Sequence, residues 1–227
     1  MKKKTTIISF CAVLVCLYWG IENVNSQKNP VDVGKLLTNF EGTGNQLRPP
    51  FDGYIYGYTD KGNKGTSTIN ELEKRGRDTV LNPIVKRGKG ANKSSGFLKI
   101  SGQVTISDKF KYGYAGCGLN FYKDRQVVNL SEYKGIRFYT KGSENYFIVK
   151  LEIPDDINYV FHETSFMPLE DWDTKTVYFK DFIQPSRATK KVSLKDALKR
   201  CKGIQWQTKG QPIENYQLYL DNIELIK

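Results

Sequence analysis

The sequence predicts an all-β protein, an antiparallel two-sheet β-sandwich of the jelly-roll type with one short helix. Three observations lead to this fold class. Many short segments alternate apolar and polar residues, clusters of Gly, Asp, Asn and Pro separate them, and only one stretch has helical spacing. Alternation with period two lets a strand bury one face. Short strands that follow one another without intervening helices are typical of a sandwich rather than of alternating β and α units.

The elements are predicted in chain order from this alternation. The first two strands lie at 36–42 and 54–58, and residues 70–95 form a charged segment with an extended excursion around 79–81. Clear strands then follow at residues 96–102, 114–121, 135–139, 146–151, 158–162, 175–179, 203–207 and 216–226. The helix begins after Ser193, whose hydroxyl suits an N-cap, and it ends before Gly203.

Residues 1–26 are predicted to be a secretory signal peptide, because lysines precede an apolar stretch that ends in small residues. That stretch is too short for a comfortable membrane span, and no other segment is apolar enough to cross a membrane. A lipoprotein signal ending at Cys16 is the alternative. We therefore expect a tether at 27–35, one domain at 36–227, and a protein that is secreted, periplasmic or at the cell surface.

The charge and the cysteines leave two questions open. The formal net charge of +11 could favour an acidic polymer. The basic residues are scattered, however, with loose clusters at 86–89 and 187–202. No nucleic-acid motif accompanies them, so we expect a solvated surface and no nucleic-acid partner. Beyond the leader, Cys117 and Cys201 either form a disulfide or remain two buried thiols.

Two carboxylates lie where the strand pattern predicts burial. Asp221 interrupts the last strand, and Glu41 ends the first. A buried carboxylate is costly unless it is paired or bound to a cation. These residues therefore suggest a closed sandwich whose chain ends meet at a metal. The alternative is that Glu41 pairs with a lysine while Asp221 accepts backbone hydrogen bonds.

Seven segments, in this order, resemble the galactose-binding-like β-sandwich superfamily, and most of all family-11 carbohydrate-binding modules and the related complex-I assembly-factor family. The matching segments are residues 39–42, 58–60 with 65–68, 113–121, 130–139, 172 with 177–182, 203–207 and 220–223. The resemblance implies a structural calcium held by Glu41 and Asp221 with backbone carbonyls, which are ligands that calcium accepts. It also implies a sugar ligand across the concave face of one sheet.

The candidate carbohydrate-binding residues combine this resemblance with strand parity. Tyr58 and Tyr114 lie in segments that match sugar-stacking tyrosines, and tyrosine offers a flat apolar ring with a polar tip. Because side chains alternate along a strand, Gln205 and Gln207 should face away from the core, on the side opposite their apolar neighbours. Their amides could there bridge the hydroxyls of a sugar. Arg137 has the same outward parity. The full predicted set is Tyr58, Tyr114, Arg137, Tyr159, Gln184, Gln205 and Gln207.

The predicted function is that of a secreted, non-catalytic protein that binds a polysaccharide of β-glucan type. A structural or protein-interaction sandwich, such as an assembly factor or a sheath component, is the alternative from another class. A glycan-active hydrolase is the third possibility, and it would need two carboxylates facing each other across a cleft. The acidic residues cluster in predicted turns instead, so we expect no enzymatic activity.

Overall fold

The computed structural model describes residues 36–42, 44–75, 78–81, 85–154 and 160–227. The strands are β1 (Leu36–Thr38), β2 (Ile55–Thr59), β3 (Leu72–Arg75), β4 (Asp78–Leu81), β5 (Val85–Arg87), β6 (Gly96–Val104), β7 (Ala115–Asn120), β8 (Gly135–Gly142), β9 (Phe147–Glu152), β10 (His162–Phe166), β11 (Asp173–Tyr178), β12 (Gly203–Thr208) and β13 (Ile213–Ile226). The helix α1 is Leu194–Lys199, and short 3-10 turns occur at Asp60–Asn63, Ala91–Lys93 and Phe179–Asp181.

Two antiparallel sheets form the sandwich. One sheet has the order β10–β9–β12–β7–β2, and we call it the tyrosine sheet after the side chains on its outer face. The opposite sheet has the order β11–β8–β13–β6–β5, and β1 pairs with β13 at its side. A separate hairpin joins β3 and β4. The predicted fold class, an antiparallel two-sheet sandwich with one short helix, is confirmed.

The core lies between the sheets and is filled by large apolar side chains from both. Trp206 of β12 and Phe138 of β8 are buried, and their rings meet edge to face with centroids 5.7 Å apart. Burial of a large apolar side chain contributes about 1.5–3 kcal/mol. Ile204 is buried beside Trp206, so the predicted parity of β12 is correct, and Gln205 and Gln207 face away from the core.

The helix forms where the sequence predicts it. The Ser193 hydroxyl accepts a hydrogen bond from the backbone N–H of Asp196 at 3.1 Å, which satisfies one of the free donors of the first turn. Ala197 is buried against Ile153 and Phe161. The helix therefore packs beside β9 and β10 and leads directly into β12.

Some predicted boundaries differ from the structure. The strand predicted at 158–162 is instead β10, which begins at His162, and residues 155–159 lie outside the described residues. The segment 70–95 contains the hairpin β3–β4, whose second strand contacts β2, and strand β5, which pairs with β6. The predicted signal peptide and tether also lie outside the described residues and stay predictions.

Two further observations concern the cysteines and the helices. Cys117 and Cys201 are both buried free thiols, and burial raises the pKa of each to about 12. Within the described part of the chain, no helix has the length and apolar character that a membrane span requires.

Candidate functional site

A row of aromatic rings runs along the outer face of the tyrosine sheet. Tyr54, Tyr56 and Tyr58 lie at alternate positions at and along β2, so their side chains share one face. Successive ring centroids in this series are 6.2 Å and 6.0 Å apart. Tyr114 continues the row, with its ring centroid 6.2 Å from that of Tyr58. All four rings are partly exposed, and together we call them the tyrosine row.

The neighbouring strand β7 makes room for these rings because it carries glycines at the facing positions. Gly118 pairs with Tyr56 and Gly116 pairs with Tyr58. A Cβ atom on Gly118 would lie 2.6 Å from Tyr56 Oη, and one on Gly116 would lie 3.0 Å from Tyr58 Oη. The two tyrosine side chains therefore extend sideways across β7 until their hydroxyls reach β12, about two strand spacings from β2.

Under the tyrosine row lies a layer of bonded polar groups from β9 and β12. Tyr56 donates its hydroxyl hydrogen to Glu152 Oε2 at 2.8 Å. Gln205 Nε2 donates to the same carboxylate oxygen at 3.1 Å, and Lys202 Nζ lies 3.1 Å from Glu152 Oε1. Glu152 is only 6% exposed, and these donors supply the hydrogen bonds that a buried carboxylate requires.

The second half of this layer holds Tyr58. Its hydroxyl lies 3.2 Å from both Gln205 Oε1 and Gln207 Oε1, either of which can accept its hydrogen. Lys150 Nζ lies 3.4 Å from Gln207 Oε1. The two glutamines are 8% and 3% exposed. Their amides are thus occupied in holding the tyrosine hydroxyls. We call these four side chains, Lys150, Glu152, Gln205 and Gln207, the polar layer.

Electrostatics keep the tyrosine hydroxyls protonated. Burial raises the pKa of Tyr56 well above its ordinary value, and the negative charge of Glu152 raises it further. Burial is also the main reason why the pKa of Tyr58 is well above its ordinary value. Both hydroxyls are therefore hydrogen-bond donors at any physiological pH, and the rings remain uncharged surfaces.

Tyr114 is positioned by the turn that follows β2. Asp60 is fully buried, and one of its carboxylate oxygens accepts a hydrogen bond from the backbone N–H of Tyr114 at 3.1 Å. The backbone N–H of Ser67 donates to the other oxygen at 3.0 Å. Asn63 Nδ2 donates to Tyr114 Oη at 2.9 Å. The turn therefore fixes Tyr114 in its position as the last ring of the tyrosine row.

The structure brings four of the predicted carbohydrate-binding residues together, namely Tyr58, Tyr114, Gln205 and Gln207. Arg137 does not join them, because it lies on β8 of the opposite sheet and forms an ion pair with Glu224. Parity alone could not tell the outer face of one sheet from the outer face of the other.

The two remaining residues of that set lie elsewhere. Gln184 lies beyond the edge strand β10, where its amide nitrogen donates to the carbonyls of Val160 and Lys190 at 3.1 Å and 2.9 Å. Tyr159 lies outside the described residues.

Several residues of the site were missed by sequence reasoning. Tyr56 is an aromatic strand residue outside the predicted set, and Gly116 and Gly118 give no sequence signal that marks them as part of a site. Lys150 and Glu152 share the outward parity of β9, and this was the available signal. A lysine and a glutamate on a strand normally indicate a solvent-exposed face, so only the register with β12 shows that they belong to a buried layer.

The predicted meeting of the chain ends is present on the opposite sheet. Thr38 of β1 pairs with Ile223 of β13. Glu41 and Asp221 both bind the turn at 91–96. Glu41 Oε1 accepts hydrogen bonds from the backbone N–H groups of Ser95 and Gly96 at 2.6 Å and 2.8 Å.

Asp221 is fully buried, and its carboxylate accepts hydrogen bonds from the Ala91 backbone at 3.0 Å and from the Ser94 hydroxyl. Burial raises the pKa of Asp221, and the negative charge of Glu41 adds to this rise. The two carboxylates are thus close enough for their negative charges to interact. Among the described residues, no group of three or more His, Cys, Asp or Glu side chains could hold a metal, and the calcium that the resemblance implies stays a prediction.

Comparison with known proteins identifies the fold. No protein-family model and no curated protein matches the sequence. The structure is similar to the family 11 carbohydrate-binding module of the cellulosomal cellulase Lic26A-Cel5E of Clostridium thermocellum, with a TM-score of 0.52 and 19% sequence identity over 86% of this chain and 95% of that chain.

It is also similar to a Clostridium thermocellum family 11 module in complex with a β-1,3-1,4-mixed-linked tetrasaccharide, with a TM-score of 0.50 and 19% identity over 85% and 94% of the two chains. The chain thus has the β-sandwich fold of carbohydrate-binding modules.

Proposed function

We propose that this protein binds a polysaccharide on the outer face of the tyrosine sheet and does not catalyse its cleavage. The observation that carries the proposal is the tyrosine row, four partly exposed rings in sequence on one sheet face. Sugars present apolar C–H faces and polar edges, and an aromatic ring stacks on the apolar face. Tyrosine loses little conformational entropy in doing so because it has only two side-chain torsions.

The polar layer supports this function by fixing the rings before a ligand arrives. The hydroxyls of Tyr56 and Tyr58 are tied to Glu152 and to the two glutamines below them. A ligand therefore meets side chains that are already ordered, which lowers the entropic cost of binding. We assign Gln205 and Gln207 to this positioning role, in place of the direct readout of sugar hydroxyls that the sequence suggested.

The shape of the site favours an extended chain. The tyrosine row follows β2 at one edge of the sheet and is continued by Phe110, whose ring centroid lies 6.0 Å from that of Tyr114. Several consecutive pyranose rings of a β-linked backbone fit such a row better than one isolated sugar does. We propose a β-glucan-like backbone for the ligand, and because stacking sites of this kind are shallow, we expect a Kd of about 1 μM or weaker.

The proposal is tested by binding to β-1,3-1,4-mixed-linked glucan and to hydroxyethyl cellulose, measured by affinity gel electrophoresis and calorimetry. The double variant Tyr58→Ala/Tyr114→Ala should bind at least about tenfold more weakly, since each lost aromatic contact is worth about 0.5–1.5 kcal/mol beyond its buried area. Tyr178→Ala on β11 of the opposite sheet is the matched control, because Tyr178 is also exposed.

Equal binding by the double variant and the wild-type protein would contradict the proposal, and so would a failure of the wild-type protein to bind any polysaccharide. Release of reducing sugar from these polymers would contradict its non-catalytic part.

A further inference from the structure

More than half of the net charge of this protein is concentrated in one short segment. Residues 187–202, which we call the basic edge, carry seven Lys or Arg residues and one Asp, a net charge of +6 within a chain total of +11. Five of the seven cationic side chains are exposed, at positions 187, 190, 191, 195 and 199. This segment is one of the two loose basic clusters that the sequence shows.

The basic edge lies beside the tyrosine sheet, next to β10 and therefore at the opposite edge from β2. Its start is fixed to the edge strand β10, because Glu163 and Ile183 exchange backbone hydrogen bonds at 2.9 Å and 3.0 Å. Gln184 then holds the segment in place, since its carbonyl oxygen accepts from the backbone N–H of Val192 at 3.0 Å and its amide nitrogen donates to the Lys190 carbonyl. At its other end, the basic edge continues into the central strand β12.

Two cationic side chains of the basic edge, Arg187 and Lys202, contact residues in the tyrosine sheet or next to it. The Arg187 guanidinium lies 5.1 Å from the ring centroid of Tyr112, two residues before Tyr114, and 3.8 Å from the Glu163 carboxylate on β10. Lys202 pairs with Glu152 of the polar layer. The basic edge is therefore joined to the tyrosine sheet by two ion pairs, and its remaining exposed positive charge lies on the lysines next to β10.

The basic edge also contains a cleft that could receive an anionic group. A cavity of about 410 Å³ lies between residues 190–193 and α1. Its charged lining consists of Lys190, Lys191, Lys199, Arg200 and Asp196. Asp196 accepts a hydrogen bond from the Ser193 hydroxyl at 2.6 Å, and its single negative charge is outnumbered by the four cations.

We propose that the ligand of the tyrosine sheet is a long anionic polysaccharide: some of its sugar rings stack on the tyrosine row, and carboxylate or sulfate groups elsewhere on the same polymer contact the basic edge on the other side of the sheet. This inference rests on the proposed function and specifies the class of polysaccharide. A polymer with regularly spaced negative charges meets a positive field along its length, which raises both its local concentration and its rate of association. A neutral polymer of the same backbone gains nothing from the basic edge.

The test compares polymers that share a β-1,4-glucan backbone and differ in charge. Carboxymethyl cellulose, cellulose sulfate and hydroxyethyl cellulose are each measured by affinity gel electrophoresis and calorimetry at 50 mM and 500 mM NaCl. We expect the anionic polymers to bind at least about fivefold more tightly than hydroxyethyl cellulose at low salt. The difference should disappear at high salt, because the Debye length shortens to a few ångströms. The preference between the first two polymers identifies the acidic group.

Two sets of variants separate the contributions. Lys190→Gln/Lys199→Gln removes two exposed charges of the cleft, and it should weaken binding of the anionic polymers about three- to tenfold while leaving hydroxyethyl cellulose binding unchanged. Lys134→Gln/Lys227→Gln is the control, since both lysines are exposed near the ends of β8 and β13 on the opposite sheet. The control variant should bind all three polymers as the wild-type protein does.

The possible failures are distinguishable. Equal, salt-independent binding of neutral and anionic polymers would overturn this inference and leave the proposed function intact. Retention of polyglutamate, or retention of carboxymethyl cellulose by Tyr58→Ala/Tyr114→Ala, would show that the basic edge attracts any polyanion without the tyrosine row, which also overturns it. If none of the three polymers binds at either salt concentration, the proposed function fails together with the inference.

Discussion

At the scale of single residues, His162 gives the fold a defined pH dependence. Its side chain is 4% exposed, and its Nδ1 atom has no hydrogen-bond partner among the described residues. Burial lowers the pKa of His162 below its ordinary value of 6.5, although a backbone hydrogen bond with Val192 opposes this effect. Between the lowered value and pH 6.5, the unfolded chain binds a proton that the folded protein does not. Stability is therefore lost as the pH falls below about 6.5.

We predict that thermal denaturation of the wild-type protein shifts to lower temperature between pH 7.5 and pH 5, relative to His162→Gln. His162 is the only histidine of the chain, so the difference between the two pH profiles reports this side chain alone. Parallel profiles would show that His162 is solvated in both states. Because His162 faces Val192 of the basic edge, the same measurement reports on how firmly that segment is held.

Individual residues also show which parts of the candidate site can be predicted from the sequence. Tyr58 and Tyr114 were predicted because their segments resemble those that carry sugar-stacking tyrosines in carbohydrate-binding modules, and Gln205 and Gln207 were predicted through the alternation along β12. Their actual partners, Glu152 above all, could not be found in this way, because a hydrogen bond across strands depends on register. Sequence alternation gives the face of a side chain and leaves the neighbouring strand unknown.

At the scale of elements, β7 is the strand that makes the tyrosine row possible. We predict that Gly118→Ala folds but binds polysaccharide about tenfold more weakly. Its new methyl group would lie 2.6 Å from Tyr56 Oη and 3.1 Å from Gln205 Cγ. Both are side chains that can move, so the ring of Tyr56 is displaced from Glu152 and the row loses its order. Calorimetry with a bound polymer and thermal denaturation together measure this change.

Gly116→Ala provides the contrast within the same strand. Its methyl group would lie 2.4 Å from the backbone carbonyl oxygen of Trp206, and backbone in the middle of a sheet cannot move aside. We therefore expect it to lower the free energy of unfolding by about 1–3 kcal/mol. If Gly118→Ala bound polysaccharide as the wild-type protein does, Tyr56 would have no part in the site.

Prediction succeeded best for elements with strong local signals. β12 was located to within one residue, and the start of α1 was located to the residue, because alternation and the Ser193 cap are local features. The helix ends at Lys199, earlier than predicted. β10 was misplaced, since the residues from His162 to Phe166 begin with four polar side chains in succession and lack alternation. This edge strand pairs with β9 and makes one isolated bridge to Ile183, and tertiary pairing rather than local pattern decides such strands.

At the scale of the whole molecule, the two ends of the described chain meet, as the misplaced carboxylates suggested. β1 pairs with β13, and the turn at 91–96 bonds both Glu41 and Asp221. The arrangement has costs. The backbone φ angle is 58° at Phe40 and 44° at Asn222, and a left-handed conformation costs a non-glycine residue about 1–2 kcal/mol. The closeness of two carboxylates adds repulsion to these costs.

A calcium ion that binds the two carboxylates would offset these costs, and this is the last prediction. We expect calcium at about 100 times its Kd to stabilise the folded protein by about 2.7 kcal/mol, which raises the Tm by about 5–10 °C for a domain of this size. The effect depends on pH because the pKa of Asp221 is raised in the folded protein. Between pH 3.8 and that raised pKa, the folded protein without metal holds a proton that the unfolded chain has lost, so the stability that Asp221 contributes falls as the pH rises through this range. Calcium binds the ionised form, so its effect should grow over the same range.

The measurement is thermal denaturation in EDTA and in excess CaCl₂ at several pH values, with MgCl₂ as a test of ion selectivity. Asp221→Asn should abolish the calcium-dependent rise in Tm, whereas Asp108→Asn, at an exposed loop position, should retain it. An identical Tm with and without calcium would mean that the donors of the 91–96 turn satisfy both carboxylates by themselves. In that case hydrogen bonds alone join the ends of the chain, and the sandwich closes without a metal.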